Sequence, residues 1–311
     1  MLIFRNNLWK YAILMIATLG FIACTPFQAE QSWQGETRLV EHAMGETEVP
    51  EEPKRVVAID SSALEDSLAL DAPLVGGATT DTILIDENSG ISEELKEKAR
   101  QLTDVGHQTQ PNLETISSLE PDLILGNKDW QENIYSKLSQ IAPTVFTEGT
   151  GVHWKENLPK HAEALGKVEK GEKLMAEYYQ RLENFQEQMG ERLETMKVAV
   201  VRFRPDTLRF YMKNSFFGLI LQDAGISFVE VQDQDKSYEN VSFEQIPTLE
   251  EADVIFFTED DDSIKDRVTN HPLWSKLEAV KQERVYELSR YGVGILSANL
   301  MIDDLFKYLL D

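Results

Sequence analysis

Beyond residue 50 the chain alternates between short β-branched runs and amphipathic stretches. Runs at 56–59, 74–75, 122–126 and 141–146 predict buried strands. Between them, residues 61–70, 92–102 and 130–140 predict helices, the second opened by Ser92 and Glu93. Pro111 and Asn112 open a further helix that presents Leu113, Ile116 and Leu119, and Pro121 ends it. Residues 83–85 fit either a strand or a loop. This alternation predicts a parallel sheet covered on both faces.

Residues 154–193 break the rhythm and contain no strand candidate. Met175, Tyr178, Leu182, Phe185, Met189 and Leu193 recur at helical spacing and form one apolar stripe, after interruptions at Gly166 and Gly171. The stripe spans too few heptads for a coiled coil, so it predicts a long helix connecting two α/β halves. The alternation then resumes. Strands are predicted at 198–203, 208–212, 226–229, 253–258 and 284–288, and helices at 216–224, 273–280 and 297–310. Gly225 suits a helix C-terminus.

Before residue 50 the pattern differs. Residues 1–10 are weakly basic and residues 11–22 almost wholly apolar, a run too short for a stable membrane span. Ala23 then precedes Cys24, the one cysteine of the 311-residue chain, so no disulfide or thiolate cluster can form within it. The segment Phe21-Ile22-Ala23-Cys24 resembles a bacterial lipobox. That resemblance implies cleavage before Cys24, lipidation at Cys24 and attachment to a membrane surface by acyl chains. Residues 25–45 are polar and irregular. The expected organisation is a signal peptide at 1–23, a tether at 24–49, a first lobe at 50–153, a connecting helix at 154–193 and a second lobe at 194–311.

The net charge is −24, and −26 without the first 23 residues. Such a surface repels nucleic acid. The sequence has no G-x-S-x-G, H-E-x-x-H or G-x-x-x-x-G-K motif, and the five histidines, His42, His107, His153, His161 and His271, lack metal-ligand spacing. A binding protein is therefore expected rather than an enzyme, with no cofactor and no metal held directly.

Several segments resemble the iron-siderophore and cobalamin family of periplasmic binding proteins. They are Pro53-Lys54-Arg55-Val56-Val57 with Glu65 and Leu68; residues 105–114 (VGHQTQPNLE) followed by Leu119 to Ile124; and Ile141 to Thr144. Further on they are Ser215 to Gly218 with Leu221 to Gly225, Val241 to Pro247, and Pro272 to Trp274 with Lys281 to Tyr286. The resemblance covers about residues 50 to 311. It implies two α/β lobes joined by one long helix, with ligand in the cleft between them and limited hinge motion. It also implies an ABC-importer component in the cell envelope, monomeric, which captures a ferric siderophore and works with a permease and its ATPase. Iron would arrive only as a siderophore chelate. Cobalamin or haem as ligand, and an envelope lipoprotein enzyme, are the alternatives.

Ligands of open parallel sheets bind beyond the carboxyl ends of the strands. Arg202 and Arg204 end one predicted strand on the same face and suit anionic oxygen, although in so acidic a chain an arginine also suits a structural ion pair. Gln108 lies in the loop that faces the cleft in the family. The family's ferric hydroxamate binder carries arginine there, which leaves the ligand open. Trp130 either stacks on the ligand or starts a helix, and Tyr291 follows the last strand where the family often has an aromatic contact. Gly292 and Gly294 would let backbone approach the ligand. Glu114 and Glu244 match the glutamates, one per lobe, that face permease arginines in the family.

Overall fold

The computed structural model describes residues 35–78, 91–149, 151–259, 262–288 and 292–310. Cys24, Tyr291 and the ambiguous segment 83–85 lie outside them.

The described chain opens with strands β1 (Thr37–His42) and β2 (Gly45–Pro50), paired as an antiparallel hairpin. This corrects the tether reading, which ran to residue 49. The hairpin was hidden because it is mostly polar. It is nonetheless anchored, with Val40 and Val49 fully buried. Arg38 donates from Nε to Glu163 O at 2.8 Å and from Nη2 to Ala164 O at 3.0 Å. His42 Nδ1 accepts from Phe146 N at 3.2 Å.

The first lobe follows as β3 (Val56–Ala58), α1 (Ser61–Ala69), β4 (Leu74–Gly77), α2 (Glu93–Arg100), β5 (Thr103–Asp104), β6 (Gly106–His107), β7 (Gln110–Pro111), α3 (Leu113–Ser118), β8 (Leu123–Asn127), α4 (Lys128–Gln131), α5 (Tyr135–Leu138) and β9 (Thr144–Thr147). Its five-stranded sheet runs β5-β4-β3-β8-β9, with every pairing parallel. Strands β3, β8 and β9 are buried along their whole length, as expected of a sheet covered on both faces. Ser92 and Asn112 cap α2 and α3 as their sequence positions predict. The helix predicted over 130–140 is instead two short helices with a 3-10 turn between them.

Helices α6 (Trp154–Ala164) and α7 (Val168–Met189) link the lobes. The break falls at Gly166, whose φ of +68° an L side chain rarely adopts. Gly171 does not interrupt α7; it lets the helix pass against α6, where an added Cβ would lie 2.7 Å from that of Ala162. The predicted stripe faces the core. Tyr178, Leu182, Phe185 and Met189 are buried, and Met175 and Leu193 pack at its edge.

The second lobe contains β10 (Lys197–Phe203), β11 (Leu208–Tyr211), α8 (Phe216–Asp223), β12 (Ser227–Phe228), β13 (Tyr238–Val241), β14 (Val254–Glu259), α9 (Asp262–Thr269), α10 (Glu278–Lys281), β15 (Val285–Glu287) and α11 (Ile295–Leu309). Strands β10, β14 and β15 are parallel, while β11 and β13 extend the sheet antiparallel. One buried cluster holds Val56 and Leu125 of the first sheet together with Val200 and Phe256 of the second, with side chains of α1, α6, α7, α8 and α11 between. The lobes therefore share a core. Across it Lys155 of α6 pairs with Asp223 of α8 at 2.9 Å, and Tyr178 of α7 donates to the same carboxylate at 2.8 Å.

Candidate functional site

In the second lobe, the strand register gathers an arginine cluster. Arg202 of β10 stands opposite Arg209 of β11, and Arg209 stands opposite Asn240 of β13. Directly paired residues share a face, so all three side chains project together. On that face Val200 and Phe256 are buried under helices, and Arg202 lies at the end where the parallel strands finish. Arg202 and Arg209 are half-buried. Arg204 stands one residue beyond β10, where its N–H donates to Thr207 O at 3.1 Å and closes the turn to β11.

Arg204 and Arg209 converge on Asn240 Oδ1, which accepts from Arg209 Nε at 3.1 Å and Arg204 Nη1 at 3.5 Å. The Arg209 guanidinium also lies 3.9 Å from the ring centroid of Tyr238, an exposed aromatic. Stacking on Tyr238 holds the planar fork in place. Arg209, Tyr238 and Asn240 had not been singled out from sequence. Their signal was weak: β13 is nearly all polar and exposed, and only its register with β11 brings it to the arginines. Tyr211 packs edge-on to Phe217 at 4.8 Å, against the shared core.

In the first lobe, Gln108 lies at the carboxyl end of the sheet. Its Oε1 accepts from Ser61 N and Ser61 Oγ, both at 3.4 Å, at the head of α1. The loop is fixed by a residue that sequence reading missed. Gln131 is fully buried; its Nε2 donates to Gln108 O at 2.7 Å and Ile59 O at 3.3 Å, and its Oε1 accepts from Asn127 N at 2.7 Å. One amide thus ties the loop to the ends of β3 and β8. Trp130, its neighbour on α4, is 42% exposed, unusual for an indole with no covering layer. His107 forms a local turn contact with Thr109 at 2.8 Å.

One expectation changes. Gly292 and Gly294 do make room for a close approach, but to Glu65 of α1. A Cβ on Gly292 would sit 1.5 Å from Glu65 Oε1, and one on Gly294 would sit 2.8 Å from Glu65 Cβ. Glu114 and Glu244 are both exposed. Glu114 lies in the first turn of α3, capped by Asn112, and Glu244 in the first turn of the 3-10 segment Phe243–Leu249. Among the described residues, no cluster of His, Cys, Asp and Glu could hold a metal ion, and no helix is long and apolar enough to cross a membrane.

The family model for periplasmic binding proteins matches residues 56–291, about three quarters of the chain. The chain belongs to the periplasmic binding protein family. Along 98% of its length it is 32% identical to a probable siderophore-binding lipoprotein of Bacillus subtilis, YfiY, of which the alignment covers 99%. It is 29% identical to the Fe(3+)-citrate-binding protein YfmC of the same organism, over 90% of this chain and 88% of that one. Among solved structures it is similar to Staphylococcus aureus SirA complexed with staphyloferrin B. The TM-score is 0.75 at 31% identity, covering 88% of this chain and 98% of SirA. These likenesses agree with two α/β lobes joined by a long helix, the architecture expected from the stripe on α7.

Proposed function

We propose that this protein is the capture component of an ABC importer, binding a ferric siderophore between its lobes and presenting it to a membrane permease. The observation that carries the reading is the placing of Arg202 beside Arg209, with Arg204 and Arg209 both on Asn240, at the carboxyl end of the second sheet. A ferric chelate with anionic oxygens suits such a cluster, because guanidinium groups form charge-assisted, bidentate hydrogen bonds. Relatives named for siderophore and ferric citrate binding support the same class. Gln108, Trp130 and Tyr291 complete the proposed ligand set. Iron enters already chelated, so the protein needs donors to the chelate and no ligands of its own to the metal.

In this reading the protein is a monomer without catalytic function, held at the membrane surface by acyl chains on Cys24, and Glu114 and Glu244 meet the permease. Titration of the purified protein with ferric citrate, ferric staphyloferrin B, a ferric hydroxamate, a ferric catecholate and cobalamin tests the ligand class. Binding of at least one ferric complex, with quenching of Trp130 fluorescence, is expected. Binding of cobalamin alone, or of none of the five, would overturn the siderophore reading.

A further inference from the structure

The strand that carries Arg202 changes partner along one of its edges. One edge of β10 is covered by β14 from Val198 to Phe203. On the other edge, β12 runs parallel beside Lys197 and Val198, and β11 runs antiparallel beside Val201, Arg202 and Phe203. Along a strand, alternate residues turn their N–H and C=O to the same edge, so Val198, Val200 and Arg202 share this one. Val198 O accepts from Val229 N at 3.3 Å, just past β12, and Arg202 is met by Arg209 of β11. Neither strand pairs with Val200. Gln232 does so with its side chain. Its Oε1 accepts from Val200 N at 3.1 Å and its Nε2 donates to Val200 O at 2.6 Å, and the residue is fully buried. A glutamine amide carries the donor and acceptor of a peptide unit, so it continues the ladder where no strand reaches.

The segment that Gln232 anchors leads into the grip on Arg209. After it, Met212 N donates to Ser237 O and Asn214 N to Lys236 O, both at 3.1 Å, which lays the chain along the outer side of β11. The next residues form β13, whose Tyr238 and Asn240 hold the Arg209 guanidinium. Among the described residues from 230 to 241, Gln232 alone is buried. The ion pairs of Lys213 with Asp233 at 3.1 Å and Asp235 at 3.3 Å lie at the surface, where such pairs contribute little. Strand β13 therefore has little burial of its own to fix it, and its buried anchor is an amide six residues upstream.

We propose that Gln232 is a positioning residue for ligand capture: its amide stands in for a strand at Val200, seats the segment leading to β13, and through Tyr238 and Asn240 fixes Arg209 beside Arg202. Removing the amide leaves the Val200 N–H and C=O without these partners in a buried place, and lets the segment shift together with β13. The same device stands in the first lobe, where the buried amide of Gln131 ties the Gln108 loop to strand ends. This proposal deepens the capture reading and rests on it, because the arginines must meet the ligand for their placement to alter affinity.

Hydrogen exchange of the full chain in detergent reads the seating without any ligand. Gln232→Met keeps the length of the side chain and removes both hydrogen bonds. Protection should fall about tenfold in peptides that span β11 and β13, and should stay at the wild-type level in peptides from β14. Titration with ferric citrate and with ferric staphyloferrin B, well below the melting temperatures, reads the positioning. Affinity should fall about tenfold in Gln232→Met, whereas adding Gln232→Met to Arg209→Ala should change it less than about twofold. A residue that merely stabilises the fold would show neither the confined exchange nor the dependence on Arg209. Should Gln232→Met fail to fold, Gln232→Asn, which keeps an amide but retracts it by one methylene, is read in the same way. Wild-type protection of β11 and β13, an equal loss in β14, or an affinity loss retained in full beside Arg209→Ala overturns the proposal. Unchanged affinity with β11 and β13 deprotected overturns it as well. A wild type that binds neither ferric complex counts against the capture reading, and exchange alone then decides the seating.

Discussion

Arg209 is held by two partners on β13. It is gripped through its ring-facing plane and one Nε–H, with Tyr238 and Asn240 as partners. An exposed stack of this kind contributes little to folding, about 0.5–1 kcal/mol. A guanidinium that meets an anionic ligand is worth more, about 1.5–3 kcal/mol. Arg209→Ala should therefore weaken ferric siderophore binding by roughly one to two powers of ten, with the free protein's melting temperature nearly unchanged, and Arg202→Ala should weaken binding by a similar factor. Calorimetric titration beside a melting curve checks this. A large drop in melting temperature at constant affinity would make the arginines structural. Gln131 makes the opposite prediction. Its removal leaves Asn127 N–H buried without its side-chain acceptor, so Gln131→Ala should cost about 1–3 kcal/mol of stability and also weaken binding by releasing the Gln108 loop.

At the scale of elements, what the sequence revealed depended on burial. Strands β3, β8, β10 and β14 are apolar runs inside closed layers, and the stripe on α7 faces a continuous core, so each imprints a pattern. The hairpin β1–β2 and strand β13 bury few side chains and read as loop. Their positions come from pairing partners far along the chain, which no local pattern contains. The arginine cluster was half-legible for the same reason. Arg202 and Arg204 stand two apart at a strand end, but Arg209 and Asn240 join them only through antiparallel register. Gly166 was seen as an interruption, although what it accommodates was not. Besides its positive φ, an added Cβ there would lie 2.6 Å from Glu51 O of the hairpin. Gly166→Ala should thus destabilise the fold by more than about 1 kcal/mol, through strain and displacement of the hairpin. Chemical denaturation checks the sign, which would be reversed if chain entropy dominated.

For the whole molecule, the proposed permease contact rests on two exposed glutamates, Glu114 and Glu244. Glu114 and Glu244 lie on different lobes, each in the first turn of a short helical segment. Such turns favour acids, so each residue is locally explained without any partner. Other acids of both lobes sit in first helical turns, so it is the family resemblance that singles out this one acid per lobe. A permease that grips both would read lobe spacing directly. Electrostatic docking of this kind depends on charge at the rim, so its loss should appear in transport and not in capture. The double variant Glu114→Ala, Glu244→Ala should bind ferric siderophore with wild-type affinity and melt at the wild-type temperature. Uptake by cells, or stimulation of the reconstituted permease's ATPase, should fall at least tenfold, and raised salt should weaken the wild type in the same assay. Wild-type uptake by the double variant at native expression would remove both glutamates from the permease interface, and a matching loss of ligand affinity would move them into the cleft instead.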